Sequence, residues 1–153
     1  MRRSRPPHVL LVEDNPGDAR LTAEALRDDD DGAELHVVED GEKALAFLRR
    51  EAPYADRGRL DLVLLDLNVP RVDGLDVLSE MRSACDLSSI PVVVFTSSAA
   101  ELDVDRCYEL KANAFVTKPI EMAEFMSTVG AIRDFWLHTA RLPRGDAHRE
   151  GSV

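Results

Sequence analysis

Apolar positions along this chain fall into short dense runs, separated by stretches in which they recur every three or four residues. The densest run lies within LDLVLLDLNVP, Leu60 to Pro70, where Leu62 to Leu65 lead into Asp66 and a turn follows at once. A run of that length, bounded by turn signals, reads as a buried strand of a parallel sheet. His8 to Glu13 (HVLLVE), Ile90 to Phe95 (IPVVVF) and Ala114 to Thr117 (AFVT) read the same way, and Glu34 to Glu39 (ELHVVE) reads as a weaker strand. Helices are predicted between them. Asn15 and Pro16 open the first as cap and first helical residue, and it ends by Arg27. Gly41 to Arg50 follows, with Ala44, Leu45 and Leu48 on one face. The third, about Leu75 to Ala84, is apolar at Leu75, Val77, Leu78 and Met81, and the fourth spans about Ala100 to Leu110. In the last, about Glu121 to Ala140, Phe125, Val129, Ile132 and Trp136 form one stripe. The acidic run at residues 28–32 reads as a solvated turn closed by Gly32.

Strand then helix, five times over, predicts an α/β fold: a doubly wound five-stranded parallel sheet with five flanking helices on both faces. Residues 8–141 form the domain, residues 1–7 a disordered basic lead, and residues 142–153 a flexible polar tail. In such sheets ligands bind at the carboxyl ends of the strands. Four strands end there in groups that carry chemistry: Glu13 with Asp14, then Asp66, Thr96 and Lys118. Singly, each has a plain reading, a helix cap or a surface charge. Jointly, they converge on one edge.

Three clustered carboxylates repel one another, by about 4 kcal/mol for a pair 4 Å apart at an effective dielectric of 20. One ammonium cannot balance three acids, so the cluster asks for a hard cation with oxygen ligands. Mg²⁺ fits, because it takes a few carboxylates and keeps room for water and phosphate oxygens. A lysine and a hydroxyl aimed at the same place complete a cradle for a phosphoryl group, with Asp66 as the nucleophile that forms an aspartyl phosphate.

Composition narrows the classes. A net charge of −10 argues against a nucleic-acid surface. Among the 19 basic residues only Lys43, Lys111 and Lys118 are lysines, and Asp outnumbers Glu, the texture of proteins from salt-loving organisms. No apolar run approaches a membrane span, and the start lacks the apolar segment of a secretory signal, so a cytoplasmic protein is expected. Cys85 and Cys107, without a CxxC pair, read as free thiols.

The motifs LLVEDNP, LLLDLNVPRVDG, VVFTSS and FVTKP, in this order, resemble those of response-regulator receiver domains of two-component signalling, from about His8 to Ala140. The resemblance implies the flavodoxin-like strand order 2-1-3-4-5. It implies that Glu13, Asp14, Asp66 and the backbone carbonyl of Asn68 hold Mg²⁺, that Asp66 accepts phosphate from a histidine kinase, and that Thr96 and Lys118 bind the phosphoryl oxygens. It implies a cis bond between Lys118 and Pro119, a switch in which Thr96 moves and Phe115 turns inward, and tuning of self-hydrolysis by Asn68 and Ser98. Phe115 stands where tyrosine is frequent, and Lys111 where many receivers have glycine. Fewer than fifteen residues follow the last helix, so output is expected by protein contact or phosphorelay. The long connection before Asp66 and the segment IRDFWLHTARLP resemble stand-alone regulators paired with phytochrome-type kinases. Phe135 and Leu137 fall off the stripe of the last helix, which reads either as a dimer contact or as a C-terminal tuck onto the core, and the resemblance to that subfamily implies a homodimer through the fourth helix, fifth strand and fifth helix. Two alternatives stay open. One is a haloacid-dehalogenase-like phosphatase, which would want a second acid where Asn68 stands. The other is a receiver-fold interaction module without the chemistry.

Overall fold

A computed structural model describes residues 5–27 and 32–143. The elements alternate as β1 (His8–Val12), α1 (Pro16–Leu26), β2 (Glu34–Val38), α2 (Gly41–Leu48), β3 (Leu62–Leu65), α3 (Gly74–Ser83), β4 (Val92–Thr96), α4 (Glu101–Glu109), β5 (Ala114–Thr117) and α5 (Met122–Arg133). The five strands are parallel, in the order β2-β1-β3-β4-β5, as expected. Central strands β3 and β4 are buried at every position, which is why their apolar residues run without alternation.

Successive strand residues still point to opposite faces, and this splits the core in two. Leu10, Val12, Val63, Leu65, Val92 and Val94 pack on one face with Phe47 of α2, Val77 and Met81 of α3 and Cys107 of α4. Val9, Leu11, Leu62, Leu64, Val93 and Phe95 pack on the other with Ala25 and Leu26 of α1 and Phe125, Val129 and Ile132 of α5. Cys85 and Cys107 are both free. The acidic turn lies outside the described residues except for Gly32, whose φ is 59°.

The last helix departs from its predicted stripe. After α5 the chain continues as a π-helical segment, Asp134–Thr139, in which the amide of Ala140 donates to the carbonyl of Phe135 at 2.7 Å. A π turn spaces facing residues five apart. Leu137, five beyond Ile132, therefore takes the buried place expected for Trp136 and is 4% exposed. Trp136 is half-buried against the same cluster, while Phe135 is exposed. Leu137 is thus core, and of the two off-stripe residues only Phe135 is free to meet a partner.

Two turns at the amino edge, the one before β5 and the one after α2, share a device. Lys111 has φ 69°, its amide donates to the Tyr108 carbonyl, and the Ala112 amide donates to the Cys107 carbonyl at 2.9 Å. Arg50, with φ 58°, ends α2 in the same way, the Glu51 amide donating to the Ala46 carbonyl. Both are left-handed helix stops of the kind glycine usually makes, so the missing glycine at Lys111 changes the cost of the turn and not its shape. The long connection into β3 is held by Arg57, which is buried and donates to the Phe47 and Leu48 carbonyls at the end of α2. Of the lead expected to be disordered, Arg5 to Pro7 are anchored: Arg5 makes a two-point ion pair with buried Asp61 at 2.9 and 3.0 Å. Of the tail, Leu142 and Pro143 are described.

Candidate functional site at the carboxyl edge of the sheet

The parallel ladder delivers the acids. The Glu13 amide donates to the Val38 carbonyl and the Asp66 amide to the Val12 carbonyl, so each acid continues its strand by one residue and then turns. Glu13 and Asp66 are buried, and Asp14 is exposed. Asn15 caps α1, its side chain accepting from the Asp18 amide at 3.0 Å, while its own amide donates to Glu13 Oε2 at 3.2 Å. Gly74 is required below Asp66. A Cβ there would lie 2.6 Å from the Asp66 carbonyl oxygen and 2.6 Å from Leu67 Cα, so only glycine lets α3 start this close to the loop.

Lys118, at the end of β5, is buried and reaches three carboxylates. Its Nζ lies 2.6 Å from Glu13 Oε1, 2.8 Å from Asp66 Oδ2 and 2.9 Å from Asp18 Oδ2. The other oxygen of Asp66, Oδ1, accepts from the Thr96 hydroxyl at 2.7 Å and from the Asn68 amide at 3.0 Å. Burial pushes the Asp66 carboxyl up, but Lys118, the Asn68 amide and the Thr96 hydroxyl together hold it below its ordinary value. Glu13 goes the other way. Desolvation raises it to about 7, only partly offset by Lys118, and the charge on Asp66 adds to the rise. Burial lowers the Lys118 ammonium, yet its three carboxylate partners more than reverse that. Two buried acids, with Asp18 beside them, thus share one ammonium.

The donor set accommodates a metal ion. Glu13, Asp14 and Asp66 each offer a carboxylate oxygen, all within 4.8 Å of one another. Exclusively oxygen donors with an excess of negative charge suit a hard divalent cation.

Comparison with known proteins gives the family. Residues 9–130 match the model of the response regulator receiver domain. The chain belongs to the response regulator receiver family. Response regulator Rcp1 of a Synechocystis species is 44% identical over 141 residues, covering 92% of this chain and 96% of Rcp1. The crystal structure of the phosphorylated cyanobacterial phytochrome response regulator RcpA superposes with a TM-score of 0.88 at 43% identity, covering 90% of this chain and 99% of RcpA. A Mn²⁺-bound form of Rcp1 superposes with a TM-score of 0.87, again at 43% identity with 90% and 99% covered. The protein is therefore a receiver-domain response regulator with the flavodoxin-like fold. No helix among the described residues is long and apolar enough to cross a membrane.

Within this receiver, the expected residues fall into three groups. Glu13, Asp14, Asp66, Thr96 and Lys118 come together, and Asn68 joins them through its amide, its side-chain Nδ2 lying a long 3.4 Å from Thr96 Oγ1. Ser98 is engaged elsewhere, its hydroxyl donating to Asp103 in the first turn of α4 at 2.7 Å. Phe115 is half-buried against the α2–α3–α4 core, and its amide donates to the Tyr108 hydroxyl at 3.1 Å, a bond that its own ring could not supply.

The bond between Lys118 and Pro119 is trans, and the cis bond among the described residues is Ala52–Pro53. The expected cis bond is thus not formed, and the chain keeps the isomer that an X–Pro bond favours by about 0.5–1 kcal/mol; the Lys118 amide continues the ladder to the Thr96 carbonyl at 2.7 Å. Asp18 is the site residue that sequence reasoning missed. It lies three residues after the Asn15 cap, in the first turn of α1, a spacing that puts it back over the strand ends. That spacing was the available signal.

Proposed function

We propose that Asp66 accepts a phosphoryl group from the phosphohistidine of a histidine kinase, in a step that depends on Mg²⁺. The observation that carries this reading is the setting of Asp66: buried at a strand end, kept ionised, with one oxygen on Lys118 and the other on Thr96. The Asp66 carboxylate attacks phosphorus, the phosphorus–nitrogen bond breaks, and the imidazole stays on the kinase. Glu13, Asp14, Asp66 and the backbone carbonyl of Asn68 would hold Mg²⁺, which supplies charge neutralisation for the incoming phosphoryl oxygens. When Lys118 turns from the Asp66 oxygen to a phosphoryl oxygen it keeps Glu13 and Asp18 as anchors. Thr96 passes its hydrogen bond from Asp66 to a phosphoryl oxygen, and Phe115 turns inward behind it, a two-state element biased by local charge. Ser98 is held by Asp103, so Asn68 is the nearer group to tune self-hydrolysis.

Similarity to phytochrome response regulators supports a phytochrome-type kinase as the donor, in the cytoplasm, with output by protein contact or phosphorelay. A homodimer through α4, β5 and α5 is supported by exposed Leu102 and Tyr108 on α4, Ile120 in the connection that follows β5, and Met122 on α5.

Labelling with acetyl phosphate and Mg²⁺ tests the acceptor. Label is expected on the wild type and absent from Asp66→Asn with circular dichroism unchanged; full labelling of that variant would remove Asp66 from the role. Sedimentation with and without beryllofluoride tests the dimer, and a monomer under both conditions would refute it.

A further inference from the structure

The amino edge of the same sheet carries a second cluster. His8 is the register partner of Glu34, and His36 stands two residues along β2, opposite Leu10. Alternate strand residues share a face, so all three side chains project toward the face that packs on α2. The two imidazoles stack, with centroids 5.8 Å apart and planes 20° apart, and His36 abuts the Phe47 ring at 5.1 Å. A Cβ added at Gly58 would lie 3.0 Å from His8 Cε1, so the loop backbone closes against the first ring.

Hydrogen bonding accounts for part of this arrangement. His8 Nε2 lies 3.1 Å from Glu34 Oε2. His8 Nδ1 and His36 Nε2 are shielded from solvent and have no hydrogen-bond partner. Buried polar nitrogens are costly to leave unpaired, and two on adjacent rings need a physical reason. One nitrogen from each ring and one carboxylate oxygen of Glu34 lie within 4.8 Å of one another. Glu34 is 54% exposed, which leaves one side of the cluster open for entry and for a water ligand. Two imidazoles and a carboxylate around an open position form the donor set of a borderline-soft divalent ion, whereas Mg²⁺ prefers oxygen.

We propose that His8, Glu34 and His36 form a binding site for a divalent transition-metal ion of the Zn²⁺ type, with water completing the coordination, at the edge of the sheet opposite Asp66. Such an ion clips the edge strand β2 to β1.

The test is titration of the full chain with Zn²⁺ in saturating Mg²⁺, followed by calorimetry and thermal unfolding. One equivalent is expected to bind and raise the midpoint. Co²⁺ in its place is expected to shift the ring resonances of His8 and His36. Affinity falls roughly tenfold or more in His36→Gln and in Glu34→Gln, and is unchanged in Asp66→Asn. Glu34→Gln changes a half-exposed side chain, so its fold is retained even where the His36 variant is disturbed. Absence of binding, equal affinity in Glu34→Gln and wild type, loss of the ion in Asp66→Asn, or paramagnetic shifts that leave His8 and His36 unmoved would each overturn the site.

Discussion

The two edges of the sheet solve the burial of polar groups in opposite ways. At the carboxyl edge, Glu13, Asp18 and Asp66 all reach one ammonium, and Thr96 and two backbone amides take the other oxygens of the buried pair, Glu13 and Asp66. Hydrogen bonds are satisfied there while charge is not. At the amino edge charge is balanced, since Asp61 is matched by Arg5 and receives the His8 amide at 2.9 Å. Hydrogen bonding fails instead, at His8 Nδ1 and His36 Nε2. An excess of negative oxygen invites a hard cation and a phosphoryl group, and unpaired imidazole nitrogen invites a softer ion. The same ladder of β1, β2 and β3 carries both. Changes at the first edge should therefore alter phosphorylation and the response to Mg²⁺, while changes at the second should leave phosphorylation alone and alter stability and the response to a softer ion.

Lys118→Met breaks the contrast most strongly. It strands three carboxylates, two of them buried, and removing one partner of a buried ion pair costs about 3–5 kcal/mol. Urea unfolding in a chelator should show that loss, Mg²⁺ should restore part of it, and acetyl-phosphate labelling should fall sharply. Next is Gly74→Ala, whose methyl group meets backbone at 2.6 Å on two sides. A cost of about 2–3 kcal/mol is expected from overpacking, together with weaker labelling, because the displaced backbone carries Asp66.

The pH dependence sharpens the comparison through opposite signs. Glu13 releases its proton near 4.5 when unfolded and near 7 when folded. Across that window the folded state holds the extra proton, so its contribution to stability declines as pH rises. His36 is lowered from 6.5 by burial first and by His8 second. Below 6.5 the unfolded chain holds more protons, so that contribution is lost as pH falls. Neither slope can exceed about 1.4 kcal/mol per pH unit. Unfolding midpoints in chelator should show the first decline vanish in Glu13→Gln and the second in His36→Gln; midpoints unaltered by either change would contradict the assignment.

Smaller effects belong to the amino edge alone. Arg5→Ala removes two hydrogen bonds to Asp61 and should cost about 1 kcal/mol, because Arg5 is partly exposed. Labelling of Asp66 should not change. Lys111→Gly should gain up to about 1 kcal/mol by relieving a left-handed residue with a side chain, again without effect on labelling.

Much of this was legible because a parallel sheet converts order into place. Short apolar runs, each followed by a polar group, give strands whose ends share an edge, so Glu13, Asp66, Thr96 and Lys118 could be brought together without coordinates. The element order, the Asn15 cap and the proline after it were readable for the same reason: each depends on residues close in the chain.

Other features turn on side-chain direction. Asp18 reaches Lys118 from a helix, Ser98 turns to Asp103, and His8 meets His36 across a register that a sequence does not state. A local change of helical pitch exchanges Leu137 for Trp136, because five-residue spacing moves the buried face by one position. The sequence by itself determined the fold class and the convergence of the acids, since both follow from periodicity and strand ends. Only the tertiary structure decided how the charges are shared and which polar atoms are left unpaired, because those depend on distances of a few ångströms between residues far apart in the chain.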